Sequence, residues 1–102
     1  MSIENIREKI SDGKYRFTIH ATERSLERGI SRKEIEETIL NGEIIEDYQE
    51  DKYSPSCLIY GKTKSGRHIH VQLSLTPIVW IITVYEPNPK EWINYKTRRK
   101  KS

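Results

Sequence analysis

The apolar residues of this chain change period once, near Glu43, and that single switch limits the folds open to it. Before it, Ile3, Ile6 and Ile10 recur at i, i+3 and i+7, and Ile35 and Ile39 stand four apart, both at helical spacing. After it, residues 43–49, 56–64, 67–75 and 78–86 are rich in Ile, Val, Tyr and Thr and read as four strands. Helices followed by sequential strands predict an α+β domain, with the N-terminal helices packed on one face of a four-stranded, mainly antiparallel sheet. A chain of 102 residues suits one domain with its own core, which we expect over 1–95, followed by a basic flexible tail at 96–102.

Local signals refine this outline. Ser2 caps a first helix that Asp12-Gly13 ends, and the KYRFT segment after it is extended or irregular. A second helix runs from about Ile19 to Arg28 and stops at Gly29. Ile19 and Leu26, seven apart, are expected to face the core, which turns His20, Arg24 and Arg28 away from it. Ser31 and Glu34 form a capping-box pattern opening a third helix that carries Ile35, Ile39 and Leu40 to Asn41-Gly42. Turns are expected at Asp51 to Pro55, at Ser65-Gly66 and at Thr76-Pro77, and the stretch from Asn88 to Trp92 is compatible with a last short helix.

The charge is polarised. The net charge is +3, yet five of the 18 basic residues fall in the last seven positions, so residues 1–95 set 13 basic against 15 acidic residues, a balance of −2. The body is therefore not a basic domain, and polyanion binding would have to come from local patches and the tail. Residues 34–51 hold eight acids and no Lys or Arg, whereas 62–70 hold Lys62, Lys64, Arg67, His68 and His70 and no acid. The one cysteine, Cys57, excludes a disulfide within the chain and reads as a small buried strand residue. No motif calls for a metal or a cofactor, and no apolar run has the length of a membrane span, so a soluble, cytoplasmic protein is expected.

Two stretches carry residues fit for chemistry. In HATERSLERGIS, His20, Arg24 and Arg28 are four apart and form a slanted row on a helix, either a face solvated and salt-bridged with Glu23 and Glu27 or half of an anion site. In RHIHVQLSL, Ile69, Val71, Leu73 and Leu75 alternate with His68, His70, Gln72 and Ser74, placing both histidines on the face away from the helices. Cleaving RNA without a metal needs a base for the 2′-OH, an acid for the leaving oxygen and cations for the phosphate, and His and Arg are suited to those roles. Tyr85 can donate to a phosphate or pack, and Glu46 is either an alternative base or a surface carboxylate. The strand histidines fit an exposed polar face, an acid–base pair or metal ligands that lack further partners.

Three ordered blocks, HATERSLERGISRKEIEETILNGEIIEDY, SCLIYGKTKSGRHIHVQL and IITVYEP, resemble the DUF4258 family over roughly residues 15 to 87. That family resembles RelE/ParE-type and BrnT-type toxins in its helix-then-sheet arrangement. The resemblance implies the toxin half of a type II toxin–antitoxin pair, an endoribonuclease acting on mRNA to inhibit translation in a bacterial cytoplasm. It places the site at His20, Arg24, Arg28, Glu46, His70 and Tyr85; His68 lies outside the family pattern, and Lys62, Lys64, Arg67 and His68, from the acid-free basic stretch, are expected as RNA contacts. The implied partner is an antitoxin of YgiT/MqsA zinc-finger type, with the acidic 34–51 segment a docking surface. The other readings are a non-catalytic RNA- or protein-binding module and a gyrase-directed toxin.

Overall fold

A computed structural model describes residues 2–50, 55–75 and 78–100. The order is α1 (Ile3–Ser11), β1 (Tyr15–Phe17), α2 (Ile19–Arg28), α3 (Arg32–Asn41), β2 (Glu43–Tyr48), β3 (Ser56–Lys62), β4 (His68–Ser74), β5 (Val79–Tyr85), β6 (Trp92–Ile93) and β7 (Thr97–Arg98). The caps explain the helix bounds. Ser2, Thr18 and Ser31 each accept a backbone N–H in the first turn of their helix, Ser31 within a complete capping box. Gly29 ends α2 at φ 60°, a left-handed conformation that glycine takes without a Cβ penalty.

The sheet has five strands in the order β1-β5-β4-β3-β2, antiparallel except for β1, which runs parallel to β5. KYRFT thus contributes a fifth, edge strand to the four expected. Three residues gave no periodicity to read, and their partner lies more than sixty residues away in Val79, Trp80 and Ile81. The stretch compatible with a last helix instead makes one turn on the Asn88 carbonyl, which accepts from Glu91 and Trp92, and then a two-stranded hairpin of β6 and β7. That hairpin also takes in Lys96 to Arg98, where a flexible tail was expected. Of the turn expected from Asp51 to Pro55, residues 51–54 lie outside the described residues, as does the turn expected at Thr76-Pro77.

One face of the sheet packs on the helices. Cys57, Ile59, Ile69, Val71, Leu73, Val79, Ile81 and Val84 meet Ile6, Ile10, Ala21, Ile30, Ile35 and Ile39 in one buried cluster. Burial pushes the Cys57 thiol up to about 12, so it stays neutral, in keeping with a packing role. One helix orientation, that of α2, differs from the sequence expectation. Ile19 and Leu26 are 81% and 78% exposed, and Ala21 is the buried residue of α2. The Thr18 N–H and hydroxyl bond to the Ile81 and Ile82 carbonyls, bringing α2 so close to β5 that a methyl side chain fits the contact. At 100° per residue, Arg24 and Arg28 lie within about 60° of Ala21, so the basic row flanks the sheet side and does not turn away from it. In α3, Ile35 and Ile39 are buried as expected but Leu40 is 36% exposed. There the Thr38 backbone sits against β3 so tightly that a Cβ on Gly61 would stand 2.2 Å from the Thr38 oxygen, and Leu40 points outward.

Candidate functional site

The opposite face of the sheet carries the polar residues. Cross-strand register aligns Tyr60, His70 and Tyr85 in one row, Leu58, Gln72 and Thr83 in the next, and Glu46 beside Leu58. The alternation of β4 therefore places both histidines on the expected side, away from the helices. That face is not open at His70. The β6–β7 hairpin lies across it, and His70 is fully buried. Trp92, itself buried, meets the imidazole edge-on with centroids 4.5 Å apart.

Both ring nitrogens of His70 are engaged. Nε2 bonds to the Tyr95 carbonyl at 2.5 Å, and Nδ1 to the Tyr85 hydroxyl at 3.1 Å. A carbonyl can only accept, so Nε2 carries the proton and Nδ1 accepts from Tyr85. Burial lowers the His70 pKa, against smaller raising effects of the Tyr95 bond and the Glu46 charge. Burial likewise pushes the Tyr85 phenol up to about 12, keeping it a donor. The resting state is a neutral Tyr85–His70 pair.

Around this pair, Arg98 of β7 forms an ion pair with Glu46 at 2.9 Å, and its guanidinium stands 4.6 Å from the Trp92 ring centroid. Glu46 also accepts from Tyr48, whose phenol is pushed upward chiefly by burial and then by that carboxylate. His68 lies at the more open end. Its Nδ1 bonds to the Tyr60 hydroxyl at 2.7 Å, and Tyr95 stacks on its ring with centroids 3.8 Å apart. Lys96 pairs with Glu43 at 3.0 Å and stands over the Tyr60 ring.

The structure divides the sequence-predicted site residues into groups. His70, Tyr85, Glu46 and His68 come together under the hairpin. Arg28 donates to the Val84 carbonyl at 2.8 Å and lines, with Tyr85, Glu86, Asn88 and Glu91, an open cleft of about 470 Å³. Arg24 pairs with Glu27 at 2.8 Å along its own helix, and His20 is exposed; neither touches His70. Arg67 is committed elsewhere. It bonds to Glu34, Glu86 and the Arg28 and Gly29 carbonyls, tying the α2–α3 corner to the sheet. Glu34 is held below the ordinary carboxylate range, first by the Ser31 backbone N–H and then by Arg67. Lys62 and Lys64 are exposed.

Sequence reasoning missed Tyr60, Trp92, Tyr95 and Arg98. The signal for the last three was the two aromatics inside the basic C-terminal run, with Asn94 marking a turn. Asn94 and Tyr95 have φ of 51° and 66°, as a primed hairpin turn requires, and Asn tolerates that conformation.

With this geometry in hand, one comparison decides the family. A family described as "domain of unknown function (DUF4258)" matches residues 17–86. The chain belongs to the DUF4258 family. Among curated proteins and among solved structures, no match is found. The DUF4258 match runs from the last residue of β1 through β5 and takes in His20, Arg28, Glu46, His70 and Tyr85, while the covering hairpin at 92–98 lies beyond the matched residues.

Proposed function

We propose that this chain is the toxin of a type II toxin–antitoxin system, acting in a bacterial cytoplasm as a metal-independent endoribonuclease on mRNA and so inhibiting translation. The observation that carries this reading is the buried Tyr85–His70 pair, with Arg28 beside Tyr85 in the adjoining cleft. A helix-then-sheet architecture of this kind is what the RelE- and BrnT-like toxins share, and their likeness to this chain is part of the proposal.

In the proposed chemistry, the 2′-OH attacks the adjacent phosphorus, its proton passes to a base, and the leaving 5′ oxygen takes a proton from an acid. The Tyr85 hydroxyl can donate to or accept from Nδ1, so it supports Nε2 of His70 in either role once the Tyr95 carbonyl withdraws. A lowered pKa keeps the imidazole neutral and able to accept. Arg28 has the planar fork suited to a phosphate. An antitoxin, of YgiT/MqsA zinc-finger type by family resemblance, would hold the outer face closed.

A second reading, a non-catalytic RNA- or protein-binding module, is favoured by the complete burial of His70 with both nitrogens occupied. Induced expression of wild type and His70→Ala in a bacterial host, with growth and RNA ends followed together, separates the two. The nuclease reading expects arrest with new RNA ends in wild type and a loss of about 10²- to 10⁴-fold in cleavage in the variant. Arrest without new ends would instead direct attention to gyrase, and no arrest from folded protein would favour the binding module.

A further inference from the structure

Three near-parallel rings stand at the open end of the outer face. Tyr95 lies face to face on His68, 3.8 Å between centroids and 5° between planes, and Tyr60 runs parallel to both at 5.9 Å. The Tyr60 hydroxyl fixes the orientation of the imidazole through Nδ1. Two cations flank the stack: Lys62, which pairs with His68 across the strands, and Lys96, whose ammonium is 5.7 Å from the Tyr60 ring centroid. A flat aromatic surface beside lysines is how proteins hold the bases and phosphates of single-stranded nucleic acid.

Tyr95 occupies that surface from a short element. It sits at the tip of a hairpin with two-residue strands, the kind that has little stability of its own, and at a φ of 66° that side chains other than Gly, Asn and Asp seldom adopt. Its carbonyl is also the group that accepts from His70 Nε2. We propose that the His68 ring face is a base-stacking subsite for single-stranded RNA, filled in the free chain by the Tyr95 ring, which an incoming nucleobase displaces. Displacement withdraws the Tyr95 carbonyl and frees His70 Nε2, so base binding and exposure of the imidazole are one event. The proposal rests on the RNA-directed reading above but not on cleavage.

The test is binding of a labelled 2′-O-methyl oligoadenylate of about eight nucleotides, which lacks the attacking hydroxyl and is not cleaved. Tyr95→Gly, which empties the subsite and suits the positive φ, is expected to tighten binding by about five- to tenfold, and adding His68→Leu to it to abolish the gain. His68→Leu in an otherwise native chain, with the hairpin tip intact, is expected to weaken binding by at least about fivefold. A 2-aminopurine placed in the oligonucleotide should be quenched by the native chain and not by His68→Leu. Unchanged or weaker binding by folded Tyr95→Gly, or equal binding and quenching by His68→Leu, would overturn the proposal. So would adenosine monophosphate competing as well as the oligonucleotide, since that would make this a mononucleotide site. Quenching that depends on His68 in a chain that cleaves no natural RNA would sink the nuclease reading and leave the subsite standing.

Discussion

The two faces of the sheet are covered by different means. The inner face is held by three helices chiefly through apolar side chains, in a cluster where most residues have no exposure. The outer face is held by a seven-residue hairpin through one hydrogen bond to an imidazole, the buried Trp92, stacked rings and two ion pairs. Burial of apolar area is non-directional and lost only when the domain opens, whereas a short hairpin on directional contacts can lift while the domain stays folded. The difference bears on the proposed function. Residues fit for acid–base chemistry lie on the side that can open.

The largest expected effect is on the inner face. Leu73→Ala removes a fully buried side chain and should cost about 2–5 kcal/mol, seen as a lower midpoint in denaturant with all probes moving together. Trp92→Ala, at the hairpin, should cost less in that global transition. Instead it should abolish amide-exchange protection of Lys96 and Arg99, which bond within the hairpin, while the amides of β3 and β4 stay protected. Loss of protection across both faces together would break the comparison.

A smaller effect concerns pH. The folded state holds His70 neutral by burial, so below the ordinary value of 6.5 the unfolded or opened chain binds a proton that the closed one does not. Closure is therefore full above pH 6.5 and is lost as pH falls from there through the lowered folded value. Acid should increase hairpin exchange in this window, and His70→Gln should remove the dependence. The smallest effect is expected of Lys96→Ala, since both partners of the Lys96–Glu43 pair are about half exposed and such pairs contribute about 0–1 kcal/mol. A melting temperature shift beyond a few degrees would show that the pair does more than that.

What could be read from the sequence follows the same division. The end of α2 and the start of α3 were legible because Gly29 and Ser31 act within one or two turns. The alternation of β4 placed His68 and His70 on the outer face correctly, since a strand's period of two leaves no freedom. The rotation of α2 was not legible. Size-ordered hydrophobicity puts Ile19 and Leu26 inward, but the close approach fixed by Thr18 on β5 favours Ala21, a constraint set by residues sixty positions away. The hairpin was not legible either. Trp92, Tyr95 and Arg98 lie in a polar, basic run whose order comes from the sheet face beneath it, and two aromatics with a turn-forming Asn94 are its only local signal. The burial of His70 was hidden for the same reason.

The central claim is that RNA meets the outer face and lifts the hairpin. Amide and imidazole chemical shifts of the labelled chain, titrated with the 2′-O-methyl oligoadenylate, test it most directly. The account predicts shifts at Tyr60, His68, His70, Tyr85 and 92–98, with the His70 Nε2 proton losing its bonded signature. Shifts confined to exposed residues of α2 such as Ile19 and Leu26, or a His70 signal unmoved at saturation, would contradict it.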